Sequence, residues 1–253
     1  MTQRNIALCS GGTDSVAATH YSLTNGLADE VVFLHTRTGP EKAHNAIDAT
    51  IEWLESWTDS EGWPFTVSAA PQPFDEITAE YGAPGPRNHF LMYRRLKDRA
   101  IDAIRSRTDG ELHCWTGIRR WESDTRMRVA EAEGERGDGR WYWHAPIIEW
   151  TDTDVREYLS KHDLDPAPVV DAIGRSADCW CGCFGDRTEL VDLEAAGFPE
   201  HAEWLRNLPT PEEAPRERQH WAGYNWNKSD WADEDRMQTT LCSHCAGREE
   251  VTR

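Results

Sequence analysis

Near its start the chain runs Asn5-Ile6-Ala7-Leu8-Cys9, breaks into Ser10-Gly11-Gly12-Thr13-Asp14-Ser15, and resumes as Val16-Ala17-Ala18-Thr19-His20-Tyr21. A short apolar strand, a double-glycine turn and a helix start in that order are what a phosphate needs. Adjacent glycines let the backbone approach an anion without Cβ obstruction, and the N–H groups of the following helix N-terminus point at it with the helix dipole behind them. Ser10 and Ser15 add hydroxyls, and Thr13 completes the turn. Asp14 is an odd neighbour for an anion unless a divalent cation lies between them, so the loop predicts Mg²⁺ on a phosphate chain. The spacing differs from the P-loop, which places four residues between its glycines and a lysine after the second.

Beyond the loop, the strand-then-helix order repeats along the chain. Residues 31–36 (Val-Val-Phe-Leu-His-Thr) read as a second buried strand, and residues 41–57 carry helical spacing through Ala43, Ile47, Ile51 and Leu54. Further strands are expected at 65–69, 112–118 and 141–148, with a long helix over 88–107. Strands separated by helices of this length form right-handed βαβ units. The predicted fold is therefore α/β: a doubly wound, mostly parallel five-stranded sheet with helices on both faces. In such sheets ligands bind beyond the carboxyl ends of the strands. That edge would hold the 10–15 loop, His35 to Thr38 after the second strand, and Gly117 to Arg120 after the fourth.

Composition shifts near residue 170, which suggests an α/β domain carrying the 10–15 phosphate loop over 1–170 and a cysteine-rich region over 171–253. Helical patterns are expected at 189–196 and 201–208, and residues 131–140 read as a charged loop. The formal charge is −18, and only four of the 27 basic residues are lysine. Excess carboxylate with scarce lysine suits a high-salt, halophilic cytoplasm, where carboxylates hold water and salt screens their repulsion. The same balance disfavours a broad nucleic-acid face. No apolar run reaches the length of a membrane span and no signal peptide is evident, so a cytoplasmic location is expected.

Two constellations carry chemistry. Gly117-Ile118-Arg119-Arg120, followed by Glu122, Ser123 and Arg126, places guanidinium groups after a strand, where they can clamp phosphate or sulfate. Tyr93-Arg94-Arg95-Leu96-Lys97 is a second cationic cluster. Cys179-x-Cys181-x-Cys183 is followed at a distance by Cys242-Ser243-His244-Cys245. Two separated thiol pairs can form a four-thiolate set, suited to Zn²⁺ or a [4Fe–4S] cluster. Cys179, Cys181, Cys242 and Cys245 are the expected ligands, with Cys183 spare. Cys9 and Cys114 are expected in the core. His35, His89, His113 and His144 have no partner at motif spacing, and Trp221, Trp226 and Trp231 are expected to pack.

The loop resembles the SGGxDS loop of the ATP-pyrophosphatase (PP-loop) families. Together with Arg95-Leu96-Lys97, Gly117-Ile118-Arg119, Glu122-Ser123, Arg126, Pro146-Ile147-Ile148-Glu149-Trp150, Asp154-Val155 and Gly174-Arg175-Ser176, it resembles the phosphoadenosine phosphosulfate (PAPS) reductase family over about residues 4–185. The resemblance implies an adenine-nucleotide α-hydrolase-like fold, with adenosine near the second strand end and phosphates in the 10–15 loop. Arg119 and Arg126 would contact the sulfate or phosphate end, and Asp14 and Arg119 would be catalytic. It also tips the cysteine set towards a [4Fe–4S] cluster. Reductases of this family finish with a nucleophilic cysteine in a Glu-Cys-Gly tail, which this sequence lacks after Cys245, while the glycine loop is complete. The leading expectation is therefore ATP cleavage to AMP and pyrophosphate, activating an acceptor for sulfur transfer. The alternatives are a PAPS or adenylyl-sulfate reductase using Cys183, and a nucleotide-binding accessory subunit with a structural cluster. A sulfur-donor protein, a nucleic-acid acceptor and a homo-oligomer are the expected partners.

Overall fold

The computed structural model describes residues 2–85, 89–120, 134–135, 141–183 and 187–209. Among them the order is β1 (Thr2–Leu8), α1 (Thr13–Thr24), β2 (Glu30–His35), α2 (Ala46–Glu61), β3 (Phe65–Ala69) and α3 (Phe74–Tyr81). Next come α4 (His89–Tyr93), a π-helical stretch (Arg94–Asp98) and α5 (Arg99–Arg105), then β4 (Gly110–Trp115), β5 (Gly134–Glu135) and β6 (Trp141–His144). Four helices end the described chain: α6 (Asp152–Lys161), α7 (Pro168–Ile173), α8 (Arg187–Ala195) and α9 (Pro199–Arg206).

The strands lie in the order β3-β2-β1-β4-β6-β5. β1 pairs in parallel with both β2 and β4, and β4 pairs in parallel with β6. The order reverses at β1, so the crevice beyond β1 and β4 is the topological switch point of a doubly wound sheet. The expected parallel five-stranded α/β sheet is present, with one addition. β5, two residues inside the expected 131–140 loop, pairs antiparallel with β6 at the edge. Two residues carry no period that a sequence pattern could reveal.

Period-2 alternation explains the core. Ile6, Val32, Leu112, Cys114, Trp141 and Trp143 are buried together with Ile101 and Ile104 of the 88–107 helical region, and Leu8 and Leu34 pack against them. Alternate residues on four neighbouring strands share one face, and α5 covers it. Each fully buried Ile or Leu contributes about 1.5–3 kcal/mol relative to exposure.

The chain forms two compact units that are discontinuous in sequence. The first comprises Met1–Leu34, Thr50–Ser68 and Ile101–Pro168. The second comprises His35–Ala49, Ala69–Ala100 and the chain from Val169 onward. Segments from before residue 100 thus complete the unit that carries Cys179. No described helix is long and apolar enough to cross a membrane.

Candidate anion and nucleotide site

In the first unit the loop between β1 and α1 is held from both sides. Cys9 N–H donates to the Val32 carbonyl at 3.0 Å, and Ala167 N–H donates to the Gly11 carbonyl at 2.9 Å. Gly11 has φ +79°, and a Cβ there would lie 2.8 Å from Thr50 Cγ2 and 3.1 Å from Ala167 Cβ. Only glycine meets both demands at this turn.

Ser15 acts as a clasp. Its hydroxyl donates to the Gly12 carbonyl at 2.9 Å and accepts from the Ser10 N–H at 3.2 Å and the Ser10 hydroxyl at 3.1 Å. This revises the expectation that Ser15 presents a hydroxyl donor to an anion, because its proton is engaged inside the loop. Gly12 is the N-cap of α1 and supplies no side-chain cap. The first N–H groups of a helix have no intrahelical partner, so the first turn, from Thr13, is where an anion would be received.

Arg119 comes to this loop from the end of β4. Its Nε lies 3.0 Å from Asp14 Oδ1, and its NH2 donates to Asp14 Oδ2 at 3.1 Å. The same NH2 is 2.6 Å from Asp152 Oδ1, and NH1 donates to the Trp150 carbonyl at 3.5 Å. Arg119 is 8% exposed. Burial opposes its charge, and the Asp14 and Asp152 carboxylates more than offset that. The close approach depends on Gly117, where a Cβ would meet the Asp14 carbonyl oxygen at 2.7 Å and Ser15 Cα at 2.9 Å. Gly117 therefore lets the β4 loop seat against the start of α1.

This geometry removes the need for Mg²⁺ inferred from the sequence. The counter-charge of Asp14 is the guanidinium of Arg119, so a divalent cation is not required to explain the aspartate. Arg120 turns to Glu149 instead, with its Nε 2.8 Å from Oε1. Arg126 lies outside the described residues. Asp152 and the Trp150 carbonyl were not legible as site groups, since only the folded chain brings the start of α6 to Arg119.

The second unit holds His35 and the cysteine segment. His35 Nδ1 accepts from the Arg37 N–H at 2.9 Å, and its carbonyl accepts from Ala70 N–H at 2.8 Å. Burial lowers its pKa, only partly opposed by Asp48. The turn after β2 places Arg37 at φ +56°, a left-handed conformation unusual for a non-glycine residue.

Around the cysteines, Thr38 Oγ1 accepts from the Trp180 N–H at 2.6 Å and Thr36 donates to the Asp178 carbonyl at 2.7 Å. The Arg175 guanidinium lies 3.9 Å above the fully buried Trp180 ring and donates to the Cys179 carbonyl at 3.1 Å. Arg175 Nε is 3.2 Å from Glu189 Oε1. Lys97 forms an ion pair with Asp178. Burial pushes the Asp178 carboxyl up and the Lys97 ammonium outweighs it, leaving its pKa low. Of the second cationic cluster, Lys97 is thus committed to Asp178, and Arg95 donates to the Tyr81 hydroxyl at 3.1 Å.

Cys179 is half-buried, while Cys181 and Cys183 are buried. A hydrogen bond with Cys181, and then burial, hold the Cys179 thiol well above the ordinary range. The two thiols meet, which fits two positions of a four-thiolate set. Cys242 and Cys245 lie outside the described residues. Among the described residues no group of three or more His, Cys, Asp or Glu side chains is arranged to hold a metal. Cys183, expected to be spare, is 0% exposed, which weighs against the alternative that makes it the nucleophile. Cys9 and Cys114 are buried as expected, and burial pushes the Cys114 thiol up to about 12.

The fold is a doubly wound α/β domain with the 10–15 loop at its switch point. Residues 4–183 match the model of the phosphoadenosine phosphosulfate reductase domain, and the chain belongs to that family. Phosphoadenosine 5′-phosphosulfate reductase of Xylella fastidiosa (strain M12) is 42% identical over 55 residues, 22% of each chain. The enzyme of the same name from Xanthomonas euvesicatoria pv. vesicatoria (strain 85-10) is 38% identical over 74 residues, 28% of this chain and 26% of the relative. The matches therefore span about a quarter or less of these relatives' lengths. The structure of phosphoadenylyl-sulfate (PAPS) reductase from Candida auris, in a phosphate complex, aligns with a TM-score of 0.45 at 13% identity, covering 66% of this chain and 77% of that one.

Proposed function

We propose that the chain is an adenine-nucleotide enzyme of sulfur metabolism that takes a sulfonucleotide such as PAPS and releases sulfite. Family membership over residues 4–183 supports this reading above the ATP cleavage expected first from the sequence. The observation that carries it is the buried Arg119 at the helix N-terminus of the 10–15 loop, a cationic fork at the switch point. Backbone N–H groups of the loop and the guanidinium would hold the phosphate or sulfate end, stabilising charge that develops on the leaving nucleoside phosphate. Arg126 would add a second guanidinium, and Gly117 would let the nucleotide lie close to the backbone. One thiolate of a dithiol reductant attacks the sulfate sulfur and displaces the nucleoside phosphate, and the reductant's second thiol then attacks the sulfur-bearing thiol, freeing sulfite and leaving the reductant as its disulfide.

Cys179, Cys181, Cys242 and Cys245 would hold a [4Fe–4S] cluster, with Zn²⁺ as the alternative occupant. When bound, such a group would tie the four thiolates to one centre and, with those thiolates counted, would carry net negative charge. Metal analysis after anaerobic purification separates the two occupants.

A second reading is favoured by one observation: the 10–15 loop is complete from Ser10 to Ser15. ATP with Mg²⁺ would place its pyrophosphate there, an acceptor oxygen would attack the α-phosphorus, and pyrophosphate would leave. A sulfur-donor protein and a nucleic-acid acceptor belong to this second reading. One product assay decides between the two. Sulfite from PAPS with a dithiol reductant supports the first reading, pyrophosphate from ATP supports the second, and neither product from a nucleotide-binding protein leaves the accessory-subunit role.

A further inference from the structure

Two carboxylates and a backbone carbonyl crowd the Arg119 guanidinium, although its Nε, 3.0 Å from Asp14 Oδ1, makes no aligned hydrogen bond. A guanidinium recognises phosphate or sulfate through two parallel N–H groups on one edge. Here Nε and one N–H of NH2 face Asp14, NH1 reaches the Trp150 carbonyl, and the remaining direction of NH2 is taken by Asp152 Oδ1 at 2.6 Å. Two carboxylates against one guanidinium leave this cluster net negative, beside a loop shaped for an anion. The two aspartates differ in burial. The Asp14 side chain is 20% exposed and sits at the base of α1, whereas the Asp152 side chain is 67% exposed.

We propose that Asp152 is a displaceable carboxylate, occupying the edge of Arg119 that the anionic end of the nucleotide takes on binding. This rests on the nucleotide-site reading and deepens it. Asp14 holds the guanidinium in place, and Asp152 competes with the ligand for it. An exposed carboxylate regains its hydration on turning away, so its release costs little. A monoanion gains little by the exchange, while a polyanionic phosphate chain replaces the lost contact with several. The pair thus discriminates by ligand charge.

Removing the competitor should strengthen binding, the opposite of what loss of a positioning residue would do. Asp152→Asn is a mild change for the helix, because α6 is anchored by its own capping box. Thr151 Oγ1 accepts from the Asp154 N–H at 3.2 Å, and the Thr151 N–H donates to Asp154 Oδ2 at 2.7 Å. Equilibrium binding of adenosine 3′,5′-bisphosphate and of inorganic pyrophosphate is measured by calorimetry for the wild type and Asp152→Asn, with circular dichroism confirming the fold of each. Asp152→Ala serves as the second variant. Both variants should bind about two- to fivefold more tightly than the wild type, the range set by the strength of an exposed ion pair. Wild-type binding that the variants leave unchanged or weaken overturns this inference and leaves the site reading standing. Absence of binding by all three proteins overturns both.

Discussion

Arg119 is the residue on which the site turns, and its surroundings set the cost of losing it. Arg119→Met removes the cation from an Asp14 carboxylate that is largely shielded from water. The expected loss is about 1.5–3 kcal/mol of unfolding free energy, typical of a buried hydrogen bond to a charged group, measured by urea denaturation. An unchanged midpoint would mean that Asp14 simply turns to solvent. Gly117→Ala tests the close approach of the two loops. A Cβ 2.7 Å from the Asp14 carbonyl forces the backbone apart, and an overpacking cost of about 1–3 kcal/mol is expected with loss of nucleotide affinity. The sequence motif showed that Asp14 needs a cation. It pointed to Mg²⁺, whereas the cation set against Asp14 is Arg119, which lies 105 residues away and which only tertiary structure brings there.

At the level of elements, α9 is tied to the turn after β2 through His201. Its Nε2 is 3.0 Å from the Thr38 carbonyl, the residue is fully buried, and burial lowers its pKa to about 4. The unfolded chain takes up this proton near the ordinary histidine pKa of about 6.5, before the folded chain does. Between about pH 6.5 and about pH 4 the unfolded state therefore binds more protons, and stability falls as pH is lowered through that window. His20 and His35 are shifted in the same direction and add to the slope. Urea unfolding at pH 7 and pH 5 should show lower stability at pH 5, and His201→Gln should reduce the difference. An equal pH dependence in that variant would contradict the assignment. Thr151→Ala removes the N-cap of α6 and should cost about 1 kcal/mol, read from the thermal midpoint.

Elements with strong periods were legible from sequence. β3 falls on the expected residues 65–69, and α2, the 88–107 helical region, α8 and α9 lie within a few residues of their patterns. The weaker ones were not. α6 buries only Val155 and Leu159 on an otherwise polar surface, and α7 is six residues long. Their helicity follows from capping and tertiary contact, which periodicity does not register.

For the whole molecule, a charge of −18 makes self-repulsion a general destabilising term. Raising KCl should therefore raise the thermal midpoint, and a midpoint that falls or stays level would contradict this account of the charge. Composition suggested a cysteine-rich region over 171–253, and the compact unit that carries the cysteine segment also draws on earlier parts of the chain. Residues 35–49 and 69–100 complete its unit, and Lys97, Thr36 and Thr38 hold it from there. Everything proposed for the site depends on the switch-point loop and Arg119 holding the anionic end of an adenine nucleotide. The direct test is equilibrium binding of PAPS and ATP to the wild type and to Arg119→Ala, with the fold of both confirmed. At least one nucleotide should bind the wild type and lose about tenfold or more in affinity in the variant, matching a lost charge-assisted hydrogen bond. Equal affinity in the two proteins, or no binding by either, would contradict it.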